Sequence, residues 1–116
     1  MPGFELIGDE EFSEIKHIFE DSKILFRHSF DHLRNNIYKV KEFENAFASR
    51  MKAPYALGVT SGTAALRVAL AAIGIKQGDE VITQSFTFVA TAEAIIESGG
   101  TPIISEIDDT LNMDPD

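Results

Sequence analysis

The chain has 116 residues, 10 basic against 19 acidic side chains for a formal net charge of −9, 44% hydrophobic residues and no cysteine. At roughly 150 residues per domain this is room for one hydrophobic core and not for a multidomain enzyme. The shortage of basic residues removes the counterion-release effect behind phosphate-backbone binding and so argues against nucleic acid and membrane surfaces as partners, while the missing cysteines exclude disulfides, thiolate zinc sites and a cysteine nucleophile and fit a cytoplasmic setting.

No apolar run approaches the ~20 residues of a membrane span, and the stretch from Met1 to Glu11 is acidic where a signal peptide is basic. In chain order, Phe12, Ile15, Ile18 and Phe19 recur at helical spacing between Asp9 and Asp21, with Asp9 in the capping position and Glu10 and Glu11 at the positive helix end. Ser22 to Asn36 is irregular; Ile24 to Phe26 read as extended or turning, the rest as loop with a helical turn. Val40, Phe43, Phe47 and Met51 then line one face of a helix from about Tyr38 to Lys52, stopped by Pro54. Tyr55 to Thr60 is β-prone and predicts a first strand. Ser61-Gly62-Thr63 leads from it into an apolar helix over 64–73, which carries Arg67 as its only charge and ends at Gly74. A helix apolar nearly all round predicts burial on most sides. Glu80 to Thr83 is a second strand, Thr87 to Ser98 a helix closed by Gly99-Gly100, and Thr101 to Ile107 a third strand. Strand, helix, strand, helix, strand with short connections predicts a three-layer α/β fold around a mainly parallel sheet, with no internal domain boundary.

The junction from Gly58 to Leu66 carries the strongest chemical signal. A strand passing directly into a helix through small and hydroxylated residues leaves first-turn N–H groups free and aims the positive helix end at one point, where a phosphate can bind. Gly62 permits close approach, Thr63 offers a hydroxyl donor, and Ala64 is expected to keep its N–H uncovered. An ordinary serine- or threonine-capped helix explains the same spacing. Gln84 to Phe88 occupies the corresponding place after the second strand, so both loops are expected at the carboxyl edge where open α/β sheets bind ligands. Phe86 and Phe88 either stack on a planar ligand or belong to the core; two residues apart at a helix start, one is expected to face inward and one outward. His28 and His32 have the spacing of a helical metal pair, without a third ligand in a recognised pattern. Asp108, Asp109 and Asp114 can be read as catalytic carboxylates or as a solvated acidic turn. Asp114-Pro115 has the form of a helix start.

The run from Ser61 to Leu66, Gly78-Asp79-Glu80-Val81-Ile82, Thr87-Phe88-Val89-Ala90-Thr91 and Gly100-Thr101-Pro102 closely resemble the DegT/DnrJ-type pyridoxal-phosphate-dependent aminotransferases, which typically aminate nucleotide-linked keto-sugars. The resemblance is dense from about Val40 to Pro115. It implies a single incomplete α/β domain over 1–116, with residues 1–37 as an N-terminal helix and loop and 38–116 as the start of a fold-type-I large domain that binds pyridoxal 5′-phosphate. The implied phosphate cup falls on Gly62, Thr63 and Ala64, and the implied ring-stacking aromatic is Phe88. The acidic strand end and proline-started helix of the family match Asp108, Asn112, Asp114 and Pro115. Glu106 stands where an aspartate is usual, and Glu93 where a small polar residue is common. The family's Schiff-base lysine lies well beyond position 116, and none of Lys16, Lys23, Lys39, Lys41, Lys52 and Lys76 has its context, so no catalytic residue is assigned and the chain is expected to be inactive alone. A keto-sugar substrate, an amino donor and a homodimeric parent enzyme are implied. A non-catalytic phosphate- or nucleotide-binding module and an inactive remnant are the rival readings.

Overall fold

The computed structural model describes residues 3–115. They form six main elements: α1 (Asp9–Asp21), α2 (Lys39–Met51), α3 (Gly62–Ala72), β1 (Glu80–Gln84), α4 (Ala90–Glu97) and β2 (Thr101–Ser105), with short 3-10 turns at Phe4–Leu6 and Asp31–Leu33. The chain divides into two compact units, Met1–Gly58 and Val59–Asp116.

In the first unit α1 follows its hydrophobic spacing, but its cap is Gly8 and not Asp9. The Gly8 N–H donates to the Glu11 carboxylate at 2.8 Å, while Asp9 is the first helical residue, where its charge still meets the positive helix end. The following loop is organised around Arg34, only 6% exposed, whose Nη2 donates to the carbonyls of Ile24 (3.2 Å) and Phe26 (2.7 Å). Its guanidinium lies 4.7 Å from the centre of the Tyr38 ring. Helix α2 ends on Lys52, whose left-handed backbone (φ 53°) returns its N–H to the Ala48 and Ser49 carbonyls two residues before Pro54.

The stretch expected as a first strand, Tyr55 to Thr60, is not one. A strand exists only where its N–H and C=O groups meet a neighbouring backbone, and at Gly58 both are engaged by side chains. The Gly58 N–H donates to Glu44 Oε1 at 2.6 Å, its carbonyl accepts from Arg27 Nη1 at 2.9 Å, and Arg27 Nη2 closes the ring onto Glu44 Oε1. The Gly58 N–H above all holds the Glu44 carboxyl below the usual glutamate range; desolvation opposes it, and the hydrogen bond and charge of the Arg27 guanidinium add to the lowering.

The second unit is a β–α–β arrangement. β1 and β2 pair in parallel, in register from Glu80 opposite Thr101 to Gln84 opposite Ser105, and α4 connects them. Ala90, Ala94 and Ile95 of α4 and Thr83 of β1 are buried. Gly100 sits where a Cβ would lie 3.1 Å from Ile75 Cγ2 and 3.3 Å from Ile95 Cγ2, so a larger residue just before β2 would require these side chains to shift. α3 packs on α4, with Arg67 Nε 2.9 Å from Glu97 Oε2. The expectation that α3 is buried on most sides is not met: none of its residues is buried, and Leu66 and Val68 are 40% and 43% exposed. One helix and a two-stranded sheet cannot wrap a helix that is apolar all round. β2 ends at Ser105, two residues earlier than expected, because Ile107 instead bridges antiparallel to Met113.

Candidate functional site

Ser61 begins α3 in extended conformation (φ −163°, ψ 165°), and its Oγ accepts the Ala64 N–H at 3.1 Å while its carbonyl accepts the Ala65 N–H at 3.0 Å. The Ala64 N–H is therefore covered, contrary to the expectation, because a serine cap reaches the third helical amide. The N–H groups of Gly62 and Thr63 have no acceptor among the described residues. A Cβ built on Gly62 meets nothing within 4 Å, so open space lies against that backbone. Two unpartnered amides at the positive end of an 11-residue helix, beside a half-buried threonine, are a donor set suited to a phosphate dianion.

The second loop leaves the carboxyl end of β1. Gln84 Nε2 donates to the Phe86 carbonyl at 2.8 Å, and the Ser85 N–H to the Ser105 carbonyl at 3.0 Å. Thr87 Oγ1 and Thr91 Oγ1 are hydrogen-bonded at 2.9 Å. α4 begins at Ala90, not at Thr87, so Phe88 belongs to the loop. The helical-face argument that set one phenylalanine inward therefore fails: Phe86 is 59% and Phe88 78% exposed.

The other sequence candidates do not assemble into a site. His28 lies in a bend and His32 in the 3-10 turn Asp31–Leu33, so their spacing never becomes the helical pair that would share a ligand. No group of three or more potential metal ligands occurs among the described residues. Asp108 Oδ1 accepts from the Thr110 N–H (2.8 Å), the Thr110 hydroxyl (2.5 Å) and the Asn112 N–H (3.4 Å). The Thr110 hydroxyl, and then its N–H, hold the Asp108 carboxyl below the usual aspartate range. Its acceptor sites close an acidic turn whose far end is fixed by the Asp114 N–H on the Glu106 carbonyl at 3.0 Å. Sequence reasoning missed Arg27, Arg34 and Glu44, which lie in an aperiodic loop and on the polar face of α2, where no periodic signal marks a partner.

A parallel β–α–β unit, with an open helix N-terminus and an exposed aromatic beyond a strand's carboxyl end, defines an α/β protein. The chain belongs to the DegT/DnrJ/EryC1/StrS aminotransferase family, whose model matches residues 27–116. It is 43% identical over 111 residues to the spore coat polysaccharide biosynthesis protein SpsC of Bacillus subtilis (strain 168), which covers 95% of this chain and 26% of that protein. It is 44% identical over 69 residues to GDP-perosamine synthase of Vibrio cholerae, covering 60% of this chain and 19% of the synthase. The crystal structure of 3-amino-5-hydroxybenzoic acid synthase superposes with a TM-score of 0.84 at 32% identity, over 98% of this chain and 28% of that one. The chain thus spans about a quarter of the length of SpsC and of that synthase. Family members are aminotransferases that use pyridoxal 5′-phosphate. The residues present fit that group: the unpartnered amides of Gly62 and Thr63 and the open space against Gly62 suit its phosphate, and the exposed Phe88 ring suits its aromatic face. No helix among the described residues is long and apolar enough to cross a membrane.

Proposed function

We propose that this chain is the N-terminal part of a pyridoxal-phosphate-dependent aminotransferase that aminates a keto-sugar, nucleotide-linked as the name of the perosamine relative suggests, at the expense of an amino donor. When bound, the cofactor supplies the electron sink for the transfer. Gly62 and Thr63 donate their amides to its phosphate, the Thr63 hydroxyl adds a third donor, Ala64 leaves the approach open with its small side chain, and Phe88 faces the ring. The observation that carries this reading is the pair of unpartnered amides at the start of α3, with open space where a Cβ on Gly62 would lie. The lysine and the remaining walls of the site come from parts of the enzyme beyond this segment, which works in the cytoplasm as a homodimer.

The reading is tested in the complete protein carrying this sequence. Thr63→Val keeps the side-chain shape and removes the hydroxyl, so retention of pyridoxal phosphate weakens by the ~1.5–3 kcal/mol of a hydrogen bond to a charged group. Unchanged retention counts against Thr63. A structure with the cofactor phosphate bound elsewhere removes the proposal altogether.

A further inference from the structure

Phe88 has little packing to hold its ring, being 78% exposed, so the direction of the ring is set by the backbone that carries it. That backbone is tied at one end by Gln84 on the Phe86 carbonyl and by the Ser85 N–H on Ser105. At the other end both ties converge on one residue. The Thr91 N–H donates to the Phe88 carbonyl at 3.0 Å, and the Thr91 hydroxyl lies 2.9 Å from that of Thr87, the residue immediately before Phe88. α4 has no side-chain cap: Val89 stands at its N-cap position with helical backbone (φ −50°, ψ −32°) and no side-chain oxygen to offer. The hydroxyl pair joins the first turn of α4 to the loop, and with the Thr91 N–H it ties the chain at Thr87 and at Phe88. Thr91 is half-buried in the second position of α4, and this helix is anchored by the buried Ala90, Ala94 and Ile95. A rigid helix therefore holds the loop through one residue, by its backbone N–H and by its hydroxyl.

We propose that Thr91 is a positioning residue that sets the Phe88 ring against the cofactor, an inference that rests on the cofactor reading above. Thr91 touches no cofactor atom itself; it acts through Thr87 and Phe88. The same hydroxyl would be unremarkable in a helix whose first turn was capped in the ordinary way.

The test is a double-mutant cycle in the complete protein, with Thr91→Val, Thr91→Ser, Phe88→Ala and the pair Phe88→Ala/Thr91→Val, reading the dissociation constant of pyridoxal phosphate by fluorescence. Thr91→Val conserves shape and removes the hydroxyl. It is expected to weaken binding roughly threefold to tenfold, the scale of one hydrogen bond, and Thr91→Ser to restore most of the loss. In the Phe88→Ala background Thr91→Val is expected to change nothing further, because its effect passes through the ring. A merely structural contribution would add in both backgrounds, and that result overturns the proposal. So does a Thr91→Val protein that binds as tightly as the parent. If Phe88→Ala alone leaves binding unchanged, the stacking role falls and this inference with it. A parent protein that binds pyridoxal as well as pyridoxal phosphate marks instead the failure of the cofactor reading.

Discussion

Gly62→Ala separates stability from binding at the start of α3. Gly62 is helical, and an added Cβ meets nothing within 4 Å. Alanine at a helical position without strain is favoured over glycine by about 0.5–1 kcal/mol, less in the first turn, so the cofactor-free variant is at least as stable as the parent. The methyl group nevertheless enters the space beside the amides of Gly62 and Thr63. Losing one hydrogen bond to a charged phosphate costs about 1.5–3 kcal/mol, which at 1.4 kcal/mol per decade weakens pyridoxal phosphate binding roughly tenfold to a hundredfold. Pyridoxal, which lacks the phosphate, should bind the variant and the parent alike. Thermal unfolding of the cofactor-free proteins, with parallel fluorescence titrations of pyridoxal phosphate and pyridoxal, measures all three quantities. The reasoning is refuted if Gly62→Ala binds the phosphorylated form as tightly as the parent, or if both forms weaken equally.

Gly74 and Gly99 both have left-handed backbone, at φ 83° and 90°, but only Gly99 is crowded, with a Cβ position 3.1 Å from the Gln77 backbone nitrogen. Gly74→Ala should cost about 1 kcal/mol after the gain in the unfolded chain, and Gly99→Ala about 1–3 kcal/mol more, by urea unfolding; equal losses would contradict the steric argument. The depressed Glu44 pKa means that its carboxylate stabilises the folded chain above the ordinary value of 4.5 and stops doing so as pH falls through the lower, folded value. The stability gap between the parent and Glu44→Gln should therefore shrink on acidification below about pH 4.5, and a gap constant from pH 7 to 3 would show that the charge on Glu44 is immaterial. The 116-residue chain alone should associate and show no transamination, since a two-stranded sheet leaves both strands with an open edge and exposes Ile82 and Ile104 at 63% and 56%. A soluble monomer by light scattering at high concentration, or turnover with an amino donor, would overturn one half or the other.

Local structure was legible wherever its cause lies within one turn of chain. The helical spacing of Phe12, Ile15 and Phe19, the apolar stripe of α2, and the stops at Pro54, Gly74 and Gly99 depend on side-chain period and on backbone freedom, both carried by neighbouring residues. The same holds for the helix start at Ser61-Gly62-Thr63, because unpartnered first-turn amides follow from helix geometry alone. Features that need a distant partner were decided by tertiary structure. Whether Tyr55 to Thr60 forms a strand depends on what meets Gly58, and Arg27 and Glu44, far away in sequence, do so. Which of the α3 amides stays open depends on the Ser61 rotamer, and the exposure of Phe86 and Phe88 on where α4 begins. The apolar composition of α3 showed that it can be buried, but burial takes neighbours on every side, and among the elements of the described residues only α4 packs against it. A hydrophobic pattern records what a segment can bury, whereas the fold alone determines what lies opposite to bury it against.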